Sequence, residues 1–295
     1  MELFNTKTKV YPNGKRVTFY CNQTIFHSPV KSEKIIKSNE QIDEETGEVA
    51  DFFLELLQSE DVEIVPFESF LTDEEKEMAK KKKNELIQRA VSRAKGRIFD
   101  IAFCNDWKYF ITLTIDQNII PNADVKTVSK KLSVFLNHCQ QRYGLSYLVI
   151  PEYHKSGMVH MHGLINDALK VVDSGTRTVT GYDKPLKIDT IRRKHLESDV
   201  RAVVYNLPQW SFGFSTAIPV YGDGGALATY VTKYMTKATT KIFGNYYWSS
   251  RDLVREPETV YSNNPDYVSL DIPEYRIPNT SIKLKYFSDF VFKKG

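Results

Sequence analysis

Two short constellations carry most of the chemistry that the residue types allow. The first is His160-Met161-His162. On a β-strand, residues i and i+2 project from one face, so both imidazoles point one way while Met161 turns to the opposite, apolar side. Imidazoles held side by side are natural metal ligands. Glu152 lies before the Lys155-Ser156-Gly157 turn, where antiparallel pairing would return its carboxylate to the histidines. His154, two residues further on, competes for that third place. Imidazole and carboxylate together suit Mg²⁺ or Mn²⁺ acting on a phosphate oxygen, although two histidines also attract Zn²⁺.

The second constellation is Tyr230-Val231-Thr232-Lys233-Tyr234-Met235-Thr236-Lys237. On a helix the two tyrosines share a face one turn apart, and Lys233 and Lys237 repeat the offset. A phenol, with a pKa of about 10, is a poor nucleophile until it is deprotonated or its target is polarised. A neighbouring ammonium favours the phenolate and can also hold a phosphate oxygen. Attack on a phosphodiester then gives a phosphotyrosyl ester, which conserves the bond energy for rejoining. Two tyrosines one turn apart permit two successive transfers. Each constellation alone also fits a structural role, as hydrogen-bonded histidines or as a core stripe with lysines reaching outward.

The elements that must position these groups are readable from periodicity. Residues 108–116 (KYFITLTID) are rich in β-branched and aromatic types and predict a strand. Residues 123–142 predict an amphipathic helix with Val128, Leu132, Phe135 and Leu136 on one face. Residues 145–154 and 158–165 predict a hairpin that carries the histidines. Strand signal returns at VVYNL and at 210–220, where Trp210, Phe212 and Phe214 alternate and offer aromatic faces for base stacking. Residues 226–241 predict the tyrosine helix. Upstream, Thr72 and Glu75 sit at capping-box spacing and open a helix expected to reach about Lys95. Its C-terminal half is basic, and Arg89, Arg93 and Lys95 are candidate DNA-backbone contacts. Residues 1–30 predict a small β unit turning at Pro12-Asn13-Gly14, residues 166–200 read as a variable region, and the tail from 242 shows no regular pattern.

Charge is unevenly placed. Fifteen acidic residues and one basic residue lie between Glu40 and Glu77, while the whole chain carries a net +3. The rest of the chain is therefore strongly basic, as a body that meets a polyanion would be. Three cysteines, odd in number and far apart, exclude a disulfide framework and suit a reducing cytoplasm. No run of 18 apolar residues spans a membrane, and the first residues lack the apolar run of a secretion signal.

Taken in order, these residues resemble the HUH endonucleases, in particular the rolling-circle replication initiators of small phages and plasmids. Phe110-Ile111-Thr112-Leu113-Thr114 looks like the first family motif. His160-Met161-His162, with Glu152 at the spacing of a third ligand, looks like the second, and Tyr230 to Lys237 like the third in its two-tyrosine form. The resemblance spans roughly residues 85–245. It implies an α+β fold of RRM-like type, with a central antiparallel sheet of about five strands flanked by helices. It further implies nicking of single-stranded DNA at an origin or hairpin, a 5′-phosphotyrosine, a free 3′-hydroxyl for a polymerase, and later strand transfer. Either tyrosine could act first. No GxxxxGK[ST] motif is present, so unwinding would be borrowed from a host helicase. Three segments are expected: 1–70 with a β unit and the acidic stretch, 71–245 as the endonuclease domain, and 246–295 as a tail packed on it. A relaxase or transposase of the same chemistry is disfavoured by two histidines and a late tyrosine pair. A non-catalytic DNA-binding autoregulator on the same scaffold is the reading from another class.

Overall fold

The computed structural model describes residues 2–27, 72–120, 125–153, 159–220, 244–264, 267–276 and 281–289. The chain divides into two units, one of residues 1–2 and 27–87 and one of residues 3–26 and 88–295. The described elements open with β1 (Leu3–Phe4), β2 (Thr6–Val10), β3 (Arg16–Cys21) and β4 (Phe26–His27), followed by helix α1 (Asp73–Cys104). Then come β5 (Tyr109–Ile115), α2 (Val125–Tyr143), β6 (Tyr147–Tyr153) and β7 (Val159–Ile165). The second half supplies β8 (Val172–Val179), β9 (Leu186–Lys187), α3 (Ile188–Arg193), β10 (Val200–Asn206) and β11 (Gly213–Pro219). The C-terminal part adds β12 (Trp248–Ser249), β13 (Glu258–Ser262), β14 (Glu274–Arg276) and β15 (Lys283–Ser288).

In the first unit the start of α1 is capped as its sequence predicts. The Thr72 N–H donates to the Glu75 carboxylate at 2.8 Å, and the Glu75 N–H donates back to Thr72 Oγ1 at 3.3 Å. These bonds, the backbone one foremost, hold the Glu75 carboxyl below its ordinary range. The helix does not stop near Lys95. Gly96 costs about 1 kcal/mol in a helix interior, but Ile98, Ile101, Ala102 and Phe103 are buried beyond it and offset that cost.

The second unit is built on two antiparallel sheets. The larger has eight strands in the order β12-β6-β7-β5-β11-β10-β8-β9, wider than the expected five. The extra strands come from segments in which the sequence shows little pattern. β8 and β9 fall in 166–200, where Asp-Ser-Gly-Thr-Arg-Thr is too polar to read as a strand, and β12 is only two residues long. α2 covers one face through Val128, Leu132, Phe135, Leu136 and Cys139, which pack on Leu113, Ile115, Val149 and Met161. On the opposite face Ile98, Ile101 and Phe103 of α1 pack on Phe110, Leu148, Ile150 and Leu164. Each fully buried Leu or Ile contributes roughly 1.5–3 kcal/mol, so two covered faces make the sheet a stable base.

The smaller sheet, β13-β2-β3-β15-β14, draws its strands from both ends of the chain. The predicted turn between β2 and β3 is present. Gly14 takes a left-handed φ of +78°, and the Tyr11 N–H donates to Lys15 O at 2.9 Å. Tyr11 and Val17 join the same cluster as α1. Beneath them Asp100 of α1 accepts from Lys9 Nζ at 2.6 Å and from the Tyr11 hydroxyl at 2.7 Å.

Candidate functional site

The site lies on the face of the larger sheet that α1 covers only in part. Pairing registers set three rows of side chains across β6, β7, β5 and β11. The first row, Leu148, Leu164, Phe110 and Ile218, is apolar, and its first three members lie in the α1 cluster. The second is Ile150, His162, Thr112 and Thr216. The third is Glu152, His160, Thr114 and Phe214. Because partners opposite one another in an antiparallel pair point the same way, each row shares one face. The face thus changes from greasy to polar, one row at a time, away from α1.

Both histidines are steered by threonines. Thr112 Oγ1 lies 3.1 Å from His162 Nδ1, and Thr114 Oγ1 lies 3.4 Å from His160 Nδ1. The rings are 6.3 Å apart and inclined by only 24°, and His162 also stacks on Phe110 at 6.1 Å. With Nδ1 engaged by a hydroxyl, the Nε2 edge is the one turned away from β5. On that edge His162 Nε2 meets Glu152 Oε2 at 3.1 Å, between side chains only 12% and 22% exposed. The expected return of Glu152 to the histidines therefore occurs, with Glu152 directly opposite His160 and in contact with His162.

The sheet also needs β6 and β7 unusually close at this place. A Cβ on Gly163 would stand 2.6 Å from Leu148 O and 3.0 Å from Val149 Cγ2. The glycine after the second histidine is therefore required by close approach of the strands rather than by its φ.

Sequence reasoning assigns Thr112 and Thr114 only to a strand and misses their contact with the histidines. A signal for it exists: in Phe-Ile-Thr-Leu-Thr-Ile the threonines alternate with apolar residues, so both fall on the face opposite Ile111 and Leu113. Phe214, 70% exposed, stands in the His160 row. Trp210 does not share its position. It is 4% exposed, packs edge-on against Phe135 and Phe212, and donates from its indole N–H to Thr114 O at 3.2 Å. Its ring fills the core where a base-stacking role would need an open face, so of the alternating aromatics Phe214 is the outward one. Arg89 and Arg93 are exposed on α1 and Lys95 is half-buried. Tyr230, Lys233, Tyr234, Lys237 and His154 lie outside the described residues.

Among the described residues there is no group of three or more His, Cys, Asp or Glu arranged as a ready metal cluster. The donor set is nonetheless of the right chemistry. Metal-binding histidines commonly have one ring nitrogen fixed by a partner so that the other faces the ion, and Thr112 and Thr114 supply such partners. A cation here would replace the Glu152–His162 contact. Among the described residues no helix is long and apolar enough to cross a membrane.

Fold and site together define an α+β protein whose broad antiparallel sheet presents paired histidines and a carboxylate on a half-open face. A model of the ORF2-type replication-associated protein family matches residues 108–239, a span that contains β5, both histidines, Glu152 and both tyrosines. That match supports a replication initiator acting on DNA. No curated protein and no solved structure matches the chain.

Proposed function

We propose that the chain nicks and rejoins single-stranded DNA at a replication origin, with Tyr230 or Tyr234 as nucleophile. The observation that carries this reading is the row of Glu152, His160 and Thr114 beside His162, which gathers two imidazoles and a carboxylate on one face of a rigid sheet. Glu152, His160 and His162 would hold Mg²⁺ or Mn²⁺. Such an ion, when bound, polarises the phosphate and orients the phosphodiester.

The remaining steps belong to the chain's own groups. Lys233 and Lys237, placed within a turn or two of the tyrosines on a helix, favour the phenolate by their charge. The phenolate oxygen forms a bond to phosphorus as the bond to the 3′-oxygen breaks. The phenol proton is released and the 3′-oxygen takes one up, so the exchange conserves one phosphoester bond and needs no oxidant or reductant. The free 3′-hydroxyl then primes synthesis by a host polymerase, with unwinding by a host helicase. Phe214, exposed in the His160 row, offers a ring on which a base beside the scissile phosphate can stack.

Labelled single-stranded DNA covering the origin of the parent replicon, incubated with Mn²⁺, should form a covalent protein–DNA band in denaturing gels. The Tyr230→Phe/Tyr234→Phe chain should form none, and His160→Ala/His162→Ala should lose the band at every metal concentration. A wild-type adduct yield from the double phenylalanine variant would overturn the nucleophile assignment. The competing reading, a non-cleaving DNA-binding autoregulator, draws on the Glu152–His162 contact, which engages the carboxylate without a metal. Origin binding with no adduct from the wild-type chain would select it.

A further inference from the structure

A groove of about 660 Å³ runs between α1 and the segment that leads into and out of β12, away from the histidine rows. It is strongly basic. Arg93 and Arg97, one turn apart on α1, line one wall, and Arg251 and Arg255 line the other. Tyr246 and Trp248 supply aromatic faces between them, both half-buried. Among the described residues no carboxylate lines it. Arg255 is already oriented, donating from Nη1 to Ser249 Oγ at 3.0 Å and from Nη2 to Ser250 O at 2.9 Å. Its guanidinium retains further donors for a ligand, since arginine carries five N–H groups.

Four guanidinium groups around two aromatic rings describe a phosphodiester strand with its bases, for which backbone charge and base stacking act together. A compact anion such as free phosphate would have no use for the rings. A duplex would offer its bases only at their edges, leaving the rings idle as well.

The register gives the groove a direction. Trp248 pairs with Val149 and Ser249 with Leu148, antiparallel to β6. Residues 247 to 244 therefore lead toward the end of β6 that carries Glu152. Ala94 of the groove precedes Ile98 and Ile101, which pack on Leu148, Ile150 and Leu164, so α1 lies over the face that bears the histidine rows. We propose that this groove binds single-stranded DNA flanking the scissile phosphate, as a holding site separate from the histidine–carboxylate centre. The inference deepens the nicking reading and rests on it for the identity of the strand, but its binding step stands apart from cleavage.

The test is fluorescence anisotropy of a fluorescein-labelled oligothymidylate with the full chain in EDTA, across a potassium chloride series. Arg93→Gln/Arg97→Gln/Arg251→Gln changes exposed residues only, so its fold, checked by circular dichroism, should persist. Its affinity should fall at least tenfold at low salt. Its slope of log affinity against log salt should shrink by about 2, near 0.7 for each of three lost phosphate contacts. Intrinsic tryptophan fluorescence should be quenched by the oligonucleotide in the wild-type chain, and the quenching should be lost in Trp248→Phe. Unchanged affinity and slope in the triple variant would overturn the proposal. So would thymidine monophosphate competing as well as the oligonucleotide at equal nucleotide concentration, since the groove would then be a small-molecule site. The Tyr230→Phe/Tyr234→Phe chain should bind like wild type here, so failure of the groove and failure of the nicking reading give different results.

Discussion

The two sheets of the second unit are held together in different ways. The larger one places β5, α2, β6 and β7 in immediate succession, and its two central pairings join strands that are neighbours or near neighbours in sequence. The smaller one pairs β2 with β13 and β3 with β15, partners about 250 residues apart. Closing such long loops costs more chain entropy before any contact is gained. The larger sheet therefore rests on locally consistent apolar patterning, whereas the smaller one relies on a polar tie to α1, where Asp100 takes both Lys9 and Tyr11. The reactive face sits on the first kind of structure. A site that must hold imidazoles and a carboxylate within hydrogen-bond distance benefits from the sheet that is least dependent on distant closure.

The largest expected effect tests that claim at its tightest point. Gly163→Val places a side chain where even a Cβ meets Leu148 O at 2.6 Å. Either β6 and β7 separate or the change is not accommodated, at a cost of about 3 kcal/mol. Urea denaturation should show the loss, and the covalent adduct should vanish with it because Glu152 and His162 belong to the two displaced strands. A Gly163→Val chain of wild-type stability with an intact adduct would mean that the larger sheet tolerates strand separation and that its rigidity is not what holds the site.

The same contrast explains what the sequence reveals. β5, α2, β6 and β7 lie close to their expected positions because each buries one face and so shows a period in its residues. The return of Glu152 follows from a short turn and alternation alone. β13, β14 and β15 show no comparable signal. Glu258 to Ser262 alternates only between half-buried and exposed residues, and Glu274 to Arg276 is wholly exposed. Their partner strands near residues 6 and 17 are set by tertiary closure, which local composition does not encode. Trp210 and Phe214 show the same limit within the site. Both are aromatic and sit at the same alternation, yet the chain bends at Phe212 to Gly213, so that Trp210 turns into the core while Phe214 stays outside.

A middle-sized effect probes the tie. Asp100→Asn removes the charge that Lys9 and Tyr11 share beneath the smaller sheet, leaving a half-buried ammonium against a neutral amide. The expected cost is about 2 kcal/mol. Hydrogen exchange should show it first in β2, β3 and β15 and only weakly in β5 to β7. Equal deprotection of both sheets would show that the two share one cooperative unit, and would remove the contrast.

The smallest effect is read from alkaline titration, with one buried thiol reporting on each core. Cys139 of α2 packs beneath the larger sheet, and burial pushes its pKa up to about 11. Cys104, at the end of α1, is also pushed up to about 11, by burial first and then by the charge of Asp100, with Lys9 opposing. A thiol whose pKa is raised by folding favours the folded state fully below its ordinary value of 9.0 and loses that contribution as pH climbs through its folded value. Stability should therefore decline between pH 9 and 11, each thiol accounting for about 1 kcal/mol at pH 10. Cys139→Ala and Cys104→Ala should each flatten the decline by a similar amount. Asp100→Asn should weaken only the share that belongs to Cys104, because Asp100 raises that thiol and not the other. If Asp100→Asn flattens the Cys139 share as well, charge on the tie reaches both faces of the larger sheet, and the two cores are electrically one.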